Sequence, residues 1–455
     1  MSVPITSQDN SGSQPELRHD LTLLDATMIN VGSMIGSGIF LVPTTIALYL
    51  HSTSLVILVW TVGGIVSLFG ALAVAELGAL MPRAGGQYVY LREAYGPLWG
   101  FLYGWSAFVV IISASISALA VAFATYLGYF FPMNPAQIKL VAIACILFVT
   151  AVNCFGVRYG ALVQNGFTFL KMGALAALVL LSFLLSGGAA SNFEPVFPGK
   201  ISTSLIGPFG LAMIAVLWSY DGWIEITFVA GEVRDPTRTI HRSLIISTLM
   251  VIVFYVLINL AYIFVLSLEK VSRSTLVASD AATVILGPAG ASFVAVAVVI
   301  STFGANNGFI FTGARIYYAM AKEGLFFRSF ANVHPKFQTP IPSLVGQGIW
   351  SASLVLSGTY KELTTYVVFV SWLFYAMSCG AVFILRRRSP LRGGRPEIPR
   401  AYKTWGYPYT PIVFILFALS LVANTIFENP ATSAIGVGLV ALGVPAFYFW
   451  ARKRG

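Results

Sequence analysis

Apolar runs recur along the chain from Leu21 to Trp450, parted by short clusters of Gly, Pro, Asn and charged residues. Each run approaches the roughly 20 residues that a helix needs to cross hydrocarbon. The pattern predicts twelve helical spans, at 21–49, 54–81, 98–130, 136–155, 161–187, 205–231, 241–267, 288–322, 342–357, 360–386, 408–427 and 430–450. The short alternating strands of a membrane barrel are missing, so the expected fold class is an all-α integral membrane protein. The polar stretch 1–20 lacks an apolar core and reads as a short disordered tail, and 451–455 as a terminal stub. Between spans, 82–97 reads as a connection with a Gly-Gly pair, 188–204 as an outer loop, and 269–287 as a longer loop placed to cap an outer vestibule.

Composition agrees with this class: of 455 residues, 57% are hydrophobic and only 10% charged, against about a quarter charged in soluble domains. The net charge of +10 does not point to nucleic acid, because its distribution is topological. With the amino terminus in the cytoplasm, 20 of the 27 Lys and Arg residues fall on the inner side, including Arg386–Arg388 and Arg452–Arg454. Five fall outside, and Lys171 and Arg315 lie within spans. That bias puts both termini inside. Cys145, Cys154 and Cys379 have no metal-site or disulfide-framework spacing, and no cofactor is expected.

The runs repeat in their interruptions. Span one is broken by Gly36-Ser37-Gly38, and span six at Trp218-Ser219-Tyr220-Asp221-Gly222. If 21–187 and 205–386 are two halves, with 408–450 outside them, the breaks occupy corresponding places. Matched breaks are the sequence pointer to a secondary transporter built of inverted repeats around a midplane site. Each glycine costs about 1 kcal/mol relative to alanine in a helix, so the triplet weakens span one at its deepest point. Backbone N–H groups freed there, with the Ser37 hydroxyl, suit a carboxylate at a helix start. Carbonyls near Met34, Ile35, Trp218, Ser219 and Asp221 suit an ammonium, so the two breaks match an α-amino acid zwitterion. Close helix packing through small residues is the bland reading of the same glycines.

Trp218 is placed to cover the bound side chain. Asp221 and Glu225, four apart, fall on one face of the span-six region and offer proton coupling, a polar substrate contact or a structural role. Glu76 is expected to pair with Arg315 or a loop arginine in an inner gate. Lys171 sits mid-span, too deep to snorkel, and must bond to carbonyls or carboxylates such as the unwound part of span one offers. A fixed cation there stands where a coupling sodium ion would, which predicts sodium independence. Asn306 and Asn307 hint at polarity in the pocket. The four histidines lie at span ends or in loops without partners in spacing, which disfavours a membrane enzyme, and the few intramembrane charges disfavour a channel.

The segments 32–40, 75–91, 220–223, 231–236, 255–262, 322–324 and 339–342 resemble the amino acid–polyamine–organocation superfamily, most closely the bacterial members of the L-type amino acid transporter family. The resemblance implies a five-plus-five inverted repeat, broken first and sixth helices, and spans 1, 2, 6 and 7 rocking against 3, 4, 8 and 9. It implies sodium-independent exchange of neutral L-amino acids, with proton symport through Asp221 or Glu225 as the alternative. By position, Ser37 and Gly38 match the carboxylate-binding residues and the carbonyls of Met34, Trp218 and Asp221 the ammonium-binding ones. Lys171 matches the family lysine of span five, and Tyr255 a span-seven tyrosine near the site. Eukaryotic members are disulfide-linked to a glycoprotein through a cysteine between spans three and four. The loop 129–137 has none, so the expectation is a stand-alone permease of the cytoplasmic membrane.

Overall fold

The computed structural model describes residues 17–185, 187–199, 202–357, 360–388 and 400–454. Most of the expected tail, with Lys200, Arg392 and Arg395, lies outside the described residues. Among those described, the chain is helical with one isolated β-bridge.

Helix α1 (Leu23–Met34) starts at a capping box, in which Asp25 N–H donates to the Thr22 hydroxyl and Thr22 N–H to the Asp25 carboxylate. It ends at Ile35, and α2 (Gly38–Tyr49) resumes at an angle of 41°. Then come α3 (Thr53–Leu80), α4 (Gln87–Tyr95), α5 (Pro97–Ser106), a π-helical turn (Ala107–Ile111) and α6 (Ile112–Leu127). Next are α7 (Pro135–Cys154) and α8 (Val157–Leu185). After them come α9 (Ile206–Tyr220), α10 (Pro236–Leu266), α11 (Leu268–Arg273), α12 (Val277–Leu286), α13 (Pro288–Lys322), α14 (Ile341–Ser357) and α15 (Tyr360–Arg387). Helices α16 (Tyr409–Glu428), α17 (Pro430–Ala441) and α18 (Gly443–Arg454) follow.

Among the described residues, ten helices are long and apolar enough to cross a membrane, the bent α1–α2 pair makes eleven, and α14 is a shorter apolar helix. Large apolar side chains such as Leu170 and Leu184 stand exposed on the outer surface of the bundle, where lipid takes the place of a protein core. Four expectations change. The loop expected at 269–287 holds most of α11 and all of α12. The connection 82–97 contains α4. The span expected at 98–130 carries a π-turn, whose carbonyls at Ala107 and Val109 accept from Tyr317 Oη and Trp350 Nε1, each at 3.1 Å. Such turns concentrate at functional sites. The span expected at 205–231 stops at Tyr220 and continues only as single 3₁₀ turns.

The two broken regions touch. Asp221 is extended and Gly222 has φ +104°, a conformation open to glycine; a Cβ at Gly222 would lie 2.9 Å from the Ser33 carbonyl carbon. On the other side, a Cβ at Gly38 would lie 2.4 Å from Ser219 Oγ. Toward the arginine-rich face, called here the basic face, Leu21 N–H donates to Glu232 O (2.9 Å) and Arg234 N–H to Leu21 O (2.8 Å).

Candidate functional site

Where the breaks meet, a cavity of about 10 Å³ is lined by Ser33, Met34, Gly36, Ser37, Gly38, Leu119, Trp218, Ser219, Asp221 and Phe309. That is room for about one water, so an amino acid enters only if the surrounding helices part. Of the residues expected to bind substrate, Met34, Gly36, Ser37, Gly38, Trp218, Ser219 and Asp221 line the space; Ile35, Gly222 and Tyr255 support it from behind. The start of α2 leaves first-turn N–H groups at Gly38 and Ile39 that the helix itself does not satisfy. Leu119 of α6 and Phe309 of α13 are apolar residues inside apolar runs, and only their rotation toward the breaks sets them apart.

Tyr255 ties the breaks together from α10. Its hydroxyl lies 2.7 Å from Met34 O and 2.8 Å from Ser219 O. One phenol proton serves two carbonyls, one from each broken helix. Met34 O also accepts from Gly36 N–H at 2.9 Å. Asn30 holds the same junction lower down, its Oδ1 accepting from Ile226 N–H at 2.9 Å. An asparagine in an apolar span was a signal for this role.

Lys171 is fully buried and donates to Gly32 O (2.7 Å), Ile35 O (2.7 Å) and Ser301 O (3.1 Å). All three ammonium protons are thereby used. Ser301 Oγ adds contacts to Ile35 O (2.9 Å) and Gly36 O (3.1 Å). Two more residues of α8 grip α1 at helical spacing: Thr168 Oγ1 donates to Met28 O (3.2 Å) and Asn165 Nδ2 to Asp25 Oδ1 (2.6 Å).

Asp221 and Glu225 do not share a helical face, because the helix ends before Asp221. Asp221 Oδ1 accepts from the Tyr375 hydroxyl of α15 at 2.6 Å, while Glu225 meets the Thr312 hydroxyl of α13. Glu76 does not pair with Arg315. It accepts from Arg386 (2.9 and 2.5 Å), Arg400 (2.6 Å), and the Thr404 N–H and hydroxyl (both 2.8 Å). Arg400, in the segment before α16, is the loop arginine of the second expectation. Arg315 is held instead by Glu232 (2.7 and 3.1 Å) and Phe311 O (2.6 Å), because the 3₁₀ turns after the second break bring Glu232 against α13. Asn306 and Asn307 do not line the cavity: Asn306 donates to Ile116 O (3.2 Å), and Asn307 to Gly160 O (3.3 Å) and Gln164 Oε1 (2.9 Å).

The family model described as "Amino acid permease" matches residues 21–449. Among similar curated proteins, the b(0,+)-type amino acid transporter 1 of Mus musculus is 33% identical over 95% of this chain and 88% of its own length. The serine/threonine exchanger SteT of Bacillus subtilis (strain 168) is 30% identical over 96% of this chain and 98% of its own. The large neutral amino acids transporter small subunit 2 of Mus musculus is 32% identical over 99% of this chain and 85% of its own.

Proposed function

Since this chain belongs to the amino acid permease family and is a multi-pass membrane transporter of amino acids, we propose that it exchanges small neutral L-amino acids by alternating access, without sodium. It does so in the cytoplasmic membrane with the basic face inward, and without a disulfide-linked subunit. The observation that carries this reading is the abutment of the two breaks, with the α2 start on one side of the cavity and the end of α9 on the other.

An incoming carboxylate takes the Gly38 and Ile39 N–H groups and the Ser37 hydroxyl, where the helix dipole favours negative charge. The ammonium takes carbonyls at Met34, Trp218 and Asp221. Met34 O already accepts from Tyr255 and Gly36, so the ammonium displaces the Tyr255 hydroxyl from at least one carbonyl. That exchange of partners couples occupancy to the contact between the breaks. Lys171 fixes a positive charge among the carbonyls of Gly32, Ile35 and Ser301, which supports sodium independence: a second cation there would face an ammonium and find its acceptors taken.

The similarity to a serine/threonine exchanger makes L-serine the first substrate to try. In proteoliposomes, labelled L-serine is taken up when unlabelled L-serine is inside and not when the lumen is empty, and choline replaces sodium without loss. Uptake into empty vesicles driven by a sodium gradient would overturn both parts of the reading.

A further inference from the structure

Among the described residues, four carboxyl groups are buried: Glu76, Asp221, Glu225 and Glu232. Glu76 and Glu232 hold arginines, whereas Asp221 meets the Tyr375 hydroxyl and the Gly222 N–H, and Glu225 the Thr312 hydroxyl. The two fully buried cations are already committed, Lys171 to three carbonyls and Arg315 to Glu232 and Phe311 O. The titratable groups near enough to interact electrostatically with Glu225 are Tyr103 of α5, Tyr317 of α13, Tyr375 of α15 and Asp221 itself. The tyrosines are neutral at ordinary pH. Helix α1 presents Asn30 and α10 Ser247, neither of which titrates. Two ionised carboxylates here would both be buried in an apolar bundle with no cation, among the described residues, paired to either.

Counting hydrogens tells the two acids apart. The Thr312 hydroxyl has one proton and two neighbours, Gly308 O at 2.9 Å and Glu225 Oε2. If that proton goes to Gly308 O, the usual back-bond one turn earlier in a helix, the proton in the Glu225 contact comes from the carboxyl. The Tyr375 hydroxyl can give its proton to Asp221 Oδ1, and Asp221 then stays ionised beside the cavity. The asymmetry leaves one shared deficit of charge and one place to hold the missing proton.

We propose that Glu225 carries a proton whenever the second break is closed on α13, so that the exchange cycle, on the reading above, turns only in the protonated form. The proton comes from water on the side to which the site is open. It stays on Glu225 while the site is closed and is free to leave when the interface opens and Glu225 is hydrated. Both half-cycles of one-for-one exchange carry it, so no net proton flux accompanies exchange. As pH rises, the ionised form accumulates in the open states, closing then buries an unpaired carboxylate, and exchange slows.

Infrared difference spectroscopy of the detergent-solubilised full chain at neutral pH tests the proton without requiring transport. A protonated-carboxyl C=O band is expected in the wild type and in Asp221→Asn. It should be lost in Glu225→Gln, and shifted in Thr312→Val, which keeps the acid and removes its partner. Absence of the band in the wild type, or its persistence in Glu225→Gln, overturns the proposal, as does its loss in Asp221→Asn alone. In proteoliposomes, labelled L-serine exchange should fall several-fold from mildly acidic to alkaline pH in the wild type and stay flat in Glu225→Gln. Exchange that is flat in the wild type overturns the proposal, whereas no exchange of any substrate at any pH overturns the exchange reading and leaves the infrared result to decide the proton.

Discussion

The two breaks look alike in the sequence and are held in opposite ways. The first is gripped by charge: Lys171 and Ser301 satisfy the carbonyls of Gly32, Ile35 and Gly36, and α8 clasps α1 at Thr168 and Asn165. Among the described residues the second has no cation at its bend, and its contacts include hydroxyls from Tyr255, Tyr375 and Thr312. Hydroxyls turn about one bond and can change partners, whereas an ammonium held by three carbonyls has no donor left to give. The first break is therefore a fixed socket, and the second adapts as substrate comes and goes.

The largest effect should come from attacking the socket. Lys171→Met removes the ammonium from three buried carbonyls, of which Ile35 O keeps the Ser301 hydroxyl, at about 1–3 kcal/mol for each acceptor left unpaired before relaxation. Transport should be lost and the melting temperature of the purified protein should drop by many degrees; an unchanged melting curve would mean that packing, not charge, holds the first break. Gly38→Val comes next, because even a Cβ at that position falls within 2.4 Å of Ser219 Oγ. Saturable L-serine binding, measured by scintillation proximity, should vanish while the protein stays folded. Tyr255→Phe removes the proton that bridges Met34 and Ser219, a net loss of about 1 kcal/mol, and initial exchange rates should fall by several-fold. Tyr375→Phe should do least to the rate. It strips Asp221 of its hydroxyl partner, and the expected change is a shift in the pH profile of exchange, read across the same buffers used for Glu225→Gln.

Much of the architecture was legible because the bilayer forces long apolar runs and punishes interruptions. The glycines at 36, 38 and 222 stand out for that reason, and so does Lys171, an ion where none is cheap. Partnerships were harder to read. Glu76 meets Arg386 and Arg400, more than 300 residues away in sequence, and no local pattern distinguishes that pairing from one with Arg315. The end of α9 at Tyr220 moved Asp221 and Glu225 off a common face, since four-residue spacing means adjacency only while the helix lasts. Asn306 and Asn307 are polar but face α6 and α8, and Leu119 and Phe309 are apolar but face the cavity. Residue type signals cost in the membrane; rotation about the helix axis decides where a side chain points.

The pairing of Leu21 with the segment after the second break has a mechanical consequence. Leu21 N–H is bound to Glu232 O, Leu21 O to Arg234 N–H, and Gly222 rests on the backbone of Ser33. Swinging α1 alone away from the bundle would break these two main-chain hydrogen bonds and the Ile226 N–H bond to buried Asn30. The first helix and the 221–235 segment should therefore move as one unit. Its swing belongs to the microsecond-to-millisecond regime of collective movement, not to the faster fraying of a helix end.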